Sequence, residues 1–395
     1  MGTEKYVILS SREMIPPSRG DLGITHRAEM FALRETRPMV KLEEAELTKK
    51  ESNDIRQDPG VRAIAKPMPL KLIAPMSLTA ATSATQPWGV EAVRAPESPF
   101  DGTGVIVAVL DTGIDPNHPA FIGVPLVQQN FTTEDGNDLH GHGTHCAGTI
   151  FGQDVNGTRI GIARHVKRAL IGKVLGKDGG SSATLAKAIQ WAVQNDANVI
   201  SMSLGIDFPG YVEYLVKEKN MPIVPATSTA LEEYRANVNL FTEMARVVEA
   251  QGAFGQGTVI VAASGNESDR PNYEVAVSPP AAGTGMIAVG ALDKSGQGYS
   301  IAYFSNTQAN IAAPGVDIIS AEAGTGGLVS MSGTSMATPH AAGIATLWAQ
   351  RQLDMSGVIN GRSLMAQLVS SGTFNGIVSP EADDVGTGII QAPLS

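Results

Sequence analysis

Largely apolar runs of five or six residues recur after Gln86, and helical stretches separate them. The runs are residues 105–110, 169–174, 199–203, 259–263 and 286–290. Runs of this kind, apolar rather than alternating in polarity, are typical of strands buried on both faces of a parallel sheet. Because helical stretches such as residues 182–195 lie between them, we expect an α/β fold with a mostly parallel sheet.

Polar residues stand where two of these strands end. Asp111 follows the first run and Asn266 follows the fourth, whereas His142 and Ser335 each begin an apolar helical stretch. In open α/β sheets, ligands bind where the carboxyl ends of the strands open. We therefore expect these side chains to belong to one site.

Three short segments together offer the groups of a nucleophilic hydrolytic site. They are residues 107–113 (VAVLDTG), 141–149 (GHGTHCAGT) and 332–340 (SGTSMATPH). A serine hydroxyl is a poor nucleophile unless a histidine takes its proton and an acid orients that histidine. Ser335 at a helix start would also have free N–H groups nearby for an oxyanion. The alternative is a serine that only caps its helix, but the nine-residue string is far more specific than a cap.

Three other chemistries fit parts of these motifs less well. An aspartic protease also has Asp-Thr-Gly, as at Asp111, but it needs a second aspartate that shares the proton, and the chain has no second Asp-Thr-Gly or Asp-Ser-Gly. A metalloprotease helix has His-Glu-x-x-His, whereas Gly and Thr separate His142 from His145. An α/β-hydrolase esterase has the order Ser, Asp, His, and here the order is Asp, His, Ser.

With their flanking residues, these segments closely resemble the subtilase family of serine endopeptidases from about Gln86 to Pro393. The resemblance implies a subtilisin-like three-layer fold, with Ser335 as nucleophile, His142 as base and Asp111 as orienting acid. Asn266, in residues 262–267 (AASGNE), matches the family's oxyanion-hole asparagine. A catalytically silent, protease-like binding protein remains the alternative, although a binding protein would not need all four groups.

The resemblance also implies where a peptide binds. Residues 175–181 (LGKDGGS) match the edge that pairs with an extended substrate, and two further segments match the walls of the primary specificity pocket. The implied substrate-binding residues are Leu175, Gly179, Gly180, Ser203, Leu204, Gly205, Ala263, Ser264 and Gly265. Backbone pairing of this kind gives affinity without requiring a particular substrate sequence. We therefore expect protein or peptide substrates of varied sequence.

The first 80 residues differ in charge from the rest of the chain. They carry 13 Lys and Arg against 11 Asp and Glu, whereas the whole chain has a net charge of −10. A strand at residues 5–9, a polar helix at 43–57, a strand at 61–65 and an extended piece at 67–75 are predicted. This order resembles a subtilase propeptide, a small α+β (ferredoxin-like) inhibitor. We expect a propeptide at residues 1–76, a linker with the processing site at 77–85, and a catalytic domain at 86–395.

Two features depart from the minimal family pattern. A largely helical insert occupies about residues 206–256, beside the expected cleft, where it either shapes access or packs peripherally. Residues 117–121 (NHPAF) place Ala120 where many subtilases have a calcium-binding aspartate. We therefore expect neither a required cofactor nor the family's strong calcium site, and a structural calcium ion elsewhere is left open.

Composition excludes other classes of protein. The negative net charge argues against nucleic-acid binding, and no run approaches the roughly 18 apolar residues of a membrane helix.

With one cysteine, Cys146, no intrachain disulfide can form, and we interpret this thiol as a packed neighbour of His142 rather than a nucleophile. Without a recognisable signal peptide, an intracellular location is expected, or secretion if a signal has been removed.

Overall fold

A computed structural model describes residues 2–12, 39–80, 87–252, 255–296 and 298–395 of the protein. In its described residues, the N-terminal part is a small antiparallel sheet with one helix. Its elements are β1 (Glu4–Arg12), β2 (Met39–Leu47), α1 (Lys49–Arg56) and β3 (Val61–Ala65), with β1 between β2 and β3. Both pairs are antiparallel, as an α+β unit requires.

The helix predicted at residues 43–57 is wrong over its first third. Residues 43–47 belong to β2, where Leu42 pairs with Leu9 and Ala45 with Tyr6, and the helix begins only after Thr48. Thr48 and Glu51 form a capping box there, in which their side-chain oxygens accept hydrogen bonds from each other's backbone N–H groups. Pairing with β1 therefore overrides the helical propensity of the Glu-rich segment.

The remaining strands and helices follow the expected alternation. In chain order they are β4 (Pro69–Leu72), β5 (Ser77–Ala80), α2 (Trp88–Ala92), β6 (Ile106–Asp111), β7 (Leu126–Asn130), α3 (His142–Phe151), β8 (Arg168–Lys173), β9 (Gly180–Ser181), α4 (Ser182–Gln194), β10 (Val199–Met202), β11 (Leu204–Ile206), α5 (Phe208–Lys217), α6 (Ile223–Gly252), β12 (Val259–Ala263), β13 (Ile287–Ser295), β14 (Gly298–Ile301), β15 (Ile311–Pro314), β16 (Ile318–Ala321), β17 (Leu328–Ser332), α7 (Thr334–Ser356), α8 (Gly361–Ser370) and α9 (Ala382–Val385). Short 3-10 helices occupy Ala95–Glu97 and Pro119–Phe121.

A mostly parallel sheet is the centre of the larger part. Its order is β14-β13-β12-β10-β6-β8-β7, β15 also pairs with β13, and among the described strands of this sheet only the β13–β14 pair is antiparallel. Along β6, Val107 and Val109 pack in one apolar cluster with residues of α3 and α7, while Ala108 and Leu110 pack in another with residues of α4 and α6. The three-layer α/β fold predicted from the sequence is confirmed.

The N-terminal sheet packs against the larger part. Val7 and Leu9 of β1 join the apolar cluster that contains α4 and α6, while Tyr6 and Ile8 pack towards α1 on the other face. This alternation follows from the two-residue period of a strand. One face of the small sheet is thus buried against the larger part.

Residues 69–80 run along the larger part rather than forming a free linker. β4 forms a three-stranded sheet with β11 and β9, and β5 forms another with β17 and β16. Ser77–Ala80 of the predicted linker are therefore a strand, whereas residues 81–85 lie outside the described residues. Within the described ranges, we find no helix with the length and apolar character needed to cross a membrane.

Candidate active site

Asp111 and His142 form a buried hydrogen-bonded pair. Asp111 is the last residue of β6 and His142 is the first of α3, and His142 Nδ1 lies 2.8 Å from Asp111 Oδ1. Burial acts to lower the pKa of His142, but the charge and hydrogen bond of Asp111, together with the interactions of Cys146, outweigh it and raise this pKa well above its ordinary value. Because Nδ1 is bound to the carboxylate, Nε2 is the atom that can exchange a proton with a substrate or nucleophile.

Asp138, which the sequence reasoning missed, links the two segments that carry Asp111 and His142 by hydrogen bonds. Its buried carboxylate accepts hydrogen bonds from Thr112 Oγ1 (2.9 Å), Gly141 N (2.8 Å) and the N and Oγ1 of Thr144 (2.8 and 2.6 Å). Thr112 follows Asp111, and the other donors surround the first turn of α3. The position of Asp138 just before this helix was the available signal, since acidic residues are enriched at helix starts.

Ser335 is buried in the first turn of α7, but its hydroxyl is not directed at His142. Ser335 Oγ donates to the carbonyl oxygen of Ile73 at 2.9 Å and also lies 3.4 Å from the carbonyl oxygen of Ser203. His142 Nε2 is buried without a hydrogen-bond partner in the described part of the chain. The three predicted catalytic residues thus lie in one site, and residues of the chain's own N-terminal part lie against Ser335.

Asn266 is oriented by the residue before the serine. Asn266 Oδ1 accepts from the N and Oγ1 of Thr334, at 2.9 and 2.8 Å. This fixes the amide so that Nδ2 points outward and donates to the carbonyl oxygen of Ala74 at 3.1 Å. Sequence reasoning passed over Thr334, although it lies inside the serine motif itself.

Cys146 packs between His142 and Ser335. Its Sγ lies 3.8 Å from His142 Nδ1 and 3.4 Å from the carbonyl oxygen of Ser335. Burial raises the pKa of the thiol, so it stays neutral, and neutral thiols are weak nucleophiles and poor metal ligands. Asp111, His142 and Cys146 are close enough to hold a metal ion, but the direct Asp111–His142 hydrogen bond and the protonated thiol do not suit one.

The second histidine of the motif is structural. His145 is fully buried, and its Nε2 lies 2.9 Å from the carbonyl oxygen of Ile318. Burial lowers the pKa of His145 to about 3, so it stays neutral and cannot replace His142 as a base that is charged during the reaction. This agrees with the choice of His142 from the motif.

The predicted substrate-binding edges hold β4 between them. Leu204 pairs antiparallel with Leu72, and Gly205 with Lys71, on the β11 side, while Gly180 pairs with Leu70 on the β9 side. Gly179 has a φ of +82°, and a Cβ there would lie 2.6 Å from the carbonyl oxygen of Leu70. The close approach of the strand therefore requires glycine at this position.

Apolar side chains of residues 70–73 are buried along this cleft. Leu70 is 1% exposed and shares an apolar cluster with Leu175. Ile73 is 5% exposed, and its Cδ1 lies 3.4 Å from where a Cβ on Gly205 would be. The binding edge and one pocket wall predicted from the sequence thus contact the chain's own residues 70–73.

Three residues of the predicted pocket, Ala263, Ser264 and Gly265, make no hydrogen bond to the described residues 69–76. Ala263 ends β12, and Ser264 and Gly265 lead from it to Asn266. Gly265 has a φ of +120°, and a Cβ there would lie 2.2 Å from Asn306 Nδ2, so the turn requires glycine. Among the described residues none of the three hydrogen-bonds to residues 69–76, and their role as a pocket wall stays a prediction.

The extended chain that begins with β4 continues past Ser335 and runs along a second strand edge, that of β17. Met76 N donates to the carbonyl oxygen of Ser332 at 2.7 Å, and Ser77 Oγ donates to Ser332 Oγ at 2.8 Å. From there β5 pairs antiparallel with β17. Residues 69–80 therefore cross the whole site as an extended chain, paired by backbone on both sides of Ser335.

The position that often carries a calcium ligand in the family does not fit one here. Ala120 is fully buried in the 3-10 helix Pro119–Phe121, and its N donates to His118 Nδ1 at 3.1 Å. A methyl side chain offers no oxygen, and calcium needs six to eight oxygen ligands. No step of the chemistry is therefore assigned to calcium.

A three-layer α/β fold with an Asp–His pair, a helix-terminal serine and a cleft that binds extended backbone defines a serine peptidase. A model of the subtilase family matches residues 102–372, which is more than half of the chain. The chain belongs to the subtilase family and is a subtilisin-type serine endopeptidase. The family and the enzyme class predicted from the motifs are confirmed.

Curated relatives agree with this assignment. The chain is 33% identical to a thermostable alkaline protease of Halalkalibacterium halodurans over 77% of this chain and 71% of the relative. It is 34% identical to subtilisin BL of Lederbergia lenta, over 75% and 97% of the two chains. It is also 31% identical to the major intracellular serine protease of Bacillus subtilis, over 72% and 81%.

Proposed function

We propose that the protein hydrolyses peptide bonds through an acyl-enzyme on Ser335. His142 Nε2 takes the hydroxyl proton as Ser335 Oγ attacks the carbonyl carbon, and later gives it to the leaving amine. Asp111 holds the proton of His142 on Nδ1 and stabilises the imidazolium. Asn266 Nδ2 and the Ser335 backbone N–H donate to the oxygen that becomes negative.

The path of residues 70–74 carries this proposal. β4 enters the cleft paired on both edges, and its continuation brings the Ile73 carbonyl to Ser335 Oγ and the Ala74 carbonyl to Asn266 Nδ2. A peptide held in this way presents consecutive carbonyl groups to the nucleophile and the oxyanion donor. The cleft thus recognises extended polypeptide, which supports peptide-bond hydrolysis over ester chemistry.

Reaction with a fluorophosphonate tests the chemistry, because only an activated serine is phosphonylated. We expect labelling at Ser335, no labelling of Ser335→Ala, and strongly reduced labelling of His142→Ala. Labelling of Ser335→Ala at the wild-type rate would contradict the assignment of the nucleophile. Absence of labelling in wild type under conditions where peptides are hydrolysed would do the same.

We also propose that residues 1–76 are an inhibitory propeptide and that the protein is made as a zymogen. Besides the apolar face of β1, the ion pair of Lys66 with Glu233 (3.2 Å) and the hydrogen bond from Asn237 Nδ2 to the Lys66 carbonyl (3.0 Å) support this. The hydrogen bonds at the centre support it further. Ser335 contacts the Ile73 carbonyl, whereas Asn266 donates to the next one, so the carbonyl at the nucleophile lacks that oxyanion donor.

Processing by the enzyme itself is the finer part of this proposal. The Ile73 carbonyl is the one that contacts Ser335 Oγ, and we propose the Ile73–Ala74 bond as the first candidate for the cut, a few residues before the processing site expected at 77–85. Pro75 then lies second after the bond rather than directly after it, so the leaving amine of Ala74 keeps its N–H. A proline at that amine would lack it.

A labelling time course tests the inhibition separately from the chemistry. We expect fluorophosphonate to label freshly purified full-length chain slowly and chain that has lost its N-terminal part quickly, because residues 70–76 fill the cleft. Equal rates for the two forms, separated by mass, would contradict inhibition while leaving the hydrolytic mechanism intact.

We keep an intracellular location as a proposal. It is supported by the relative from Bacillus subtilis whose name states that location and by the single, buried cysteine, which suits a reducing compartment. Fractionation of the producing cells tests it, and recovery of the protein chiefly from the medium of intact cells would contradict it.

A further inference from the structure

Asp207 stands at the start of the helical insert, directly beside the cleft. It follows β11 and caps α5, with its Oδ1 accepting from Gly210 N at 2.9 Å. This hydrogen bond fixes the carboxylate while the other oxygen, Oδ2, lies 2.5 Å from Lys71 Nζ. The acid is therefore already oriented towards whatever occupies the position of Lys71.

The position of Lys71 is set by backbone pairing rather than by its own side chain. Lys71 is paired with Gly205, between the Leu72–Leu204 and Leu70–Ile206 pairs. It lies two residues before Ile73, whose carbonyl contacts Ser335. Any peptide paired with β11 in the same register has its corresponding side chain beside Asp207.

The surroundings favour a positive charge at this place. Burial acts to raise the pKa of Asp207, but hydrogen bonds from Lys71 and Gly210 N outweigh it and lower this pKa, so the carboxylate is ionised at neutral pH. Glu213, further along α5, has its pKa lowered chiefly by the hydrogen bond and charge of Lys217 and to a smaller extent by the charge of Lys71. Lys217 pairs with Glu213. Asp207 pairs instead with the side chain that lies in the cleft, that of Lys71.

We propose that Asp207 gives the enzyme a preference for lysine or arginine at the third residue before the cleaved bond. This inference rests on the proposed function, since it takes the register of residues 70–73 as that of a substrate. It also gives the insert a role: the insert places an acid at the cleft. Leu70 and Leu72, on either side, leave the neighbouring positions to apolar side chains.

The size of the preference follows from exposure. The Lys71 side chain is 62% exposed and that of Asp207 is 27% exposed, and ion pairs of this kind are weak and screened by salt. We expect a lysine peptide to exceed a glutamine peptide about two- to fivefold in kcat/KM at low salt. The ratio should shrink towards one at high ionic strength.

Reporter peptides test this preference. The protein and its variants are produced as the full chain and are assayed once they hydrolyse peptides. Two tetrapeptide mixtures have leucine at the first and third residues, a randomised residue before the reporter, and either lysine or glutamine at the second residue. The kcat/KM ratio within one preparation does not depend on the fraction of active molecules. The variants are Asp207→Asn, which keeps an oxygen for the helix cap, Asp207→Lys, and Glu232→Gln as a control for net charge.

Asp207→Asn should abolish the preference for lysine, Asp207→Lys should reverse it, and Glu232→Gln should keep it. Equal hydrolysis of both mixtures by wild type, or an unchanged lysine preference in Asp207→Asn, would overturn the role of Asp207 and leave the protease function standing. If neither mixture is hydrolysed by any variant, the proposed function itself fails, and the inference falls with it.

Discussion

The hydroxyl of Ser335 donates a 2.9 Å hydrogen bond to the carbonyl oxygen of Ile73. The proton that His142 would accept during catalysis is thus directed at the peptide in the cleft, and His142 Nε2 has no partner among the described residues. A neighbouring carbonyl, that of Ala74, occupies Asn266. The N-terminal part therefore engages both the nucleophile and the oxyanion donor of the proposed mechanism.

The pKa of His142 should depend on Asp111. In full-length Ser335→Ala, which cannot process itself, we expect the pKa of His142 to lie above the ordinary value of about 6.5. His145 and His340 are equally buried but have no carboxylate partner in the part of the chain that the structure describes, and burial lowers their pKa values to about 3 and about 4. Adding Asp111→Asn should therefore lower the pKa of His142, as NMR titration of the histidine rings would measure.

The same titration contains its own control, because His145 should remain neutral in both variants. An unchanged His142 pKa after Asp111→Asn would contradict the assignment of the charge effect to Asp111. In activity, a base must be neutral, so kcat/KM should fall as the pH drops through the pKa of His142. Asp111→Asn should reduce kcat by about 10⁴, as for the equivalent change in other serine proteases.

Asn266→Ala should reduce kcat by about 10²–10³ with little change in KM, because its amide acts mainly when the oxyanion forms. Thr334→Val removes one of the two hydrogen bonds that orient Asn266 and keeps the backbone N–H. We expect it to lower kcat about three- to tenfold, as the loss of one hydrogen bond predicts. Steady-state kinetics on one peptide would measure both, and a large rise in KM alone for Asn266→Ala would contradict this account.

Asp138→Asn should destabilise the fold around α3. An amide keeps one oxygen but presents an NH₂ group to donors that the carboxylate now satisfies, such as Thr144 N and Oγ1. We expect a loss of about 1–3 kcal/mol in the free energy of unfolding, measured by urea denaturation in the Ser335→Ala background. Asp135→Asn is the matched control, since Asp135 is exposed in the same loop and should change stability by about 0.5 kcal/mol or less. Equal effects of the two changes would contradict the role of Asp138.

Much of this arrangement could be predicted from the sequence. The strand at residues 259–263 was predicted with the bounds that the structure has, because a buried parallel strand is a continuous apolar run. The residues proposed for catalysis came from three short motifs that the sequence itself displays. Residues 43–47 were mispredicted as helix because the pairing of β2 with β1 is a long-range contact that their composition does not reveal.

Other contacts depend on distant segments. Lys71 and Asp207 are separated by 136 residues, and Ser335 and Ile73 by 262. The sequence predicts an extended piece at residues 67–75, but the register that selects Ile73 and Lys71 comes only from the pairing of β4 with β11. Asp138 was missed because its donors come from two separate segments, the turn after β6 and the start of α3.

Cys146 should be dispensable for the chemistry but sensitive to modification. Its Sγ lies close to both His142 and the backbone of Ser335, so a bulky mercurial there should displace one of them and inhibit hydrolysis. Cys146→Ala should stay active and become insensitive to the mercurial, as peptide hydrolysis with and without the reagent would measure. Loss of activity in Cys146→Ala, with the fold intact by circular dichroism, would instead favour a direct role for the thiol.

The most direct test of the central claim is intact-mass spectrometry of wild type and Ser335→Ala over time, with peptide hydrolysis measured on the same samples. We expect wild type to lose an N-terminal fragment that ends within residues 72–85, first at Ile73, as its activity rises, and Ser335→Ala to stay at full length. Addition of a trace of processed wild type should then cut Ser335→Ala at the same bond. Wild type that remains full length while fully active on peptides would contradict the account.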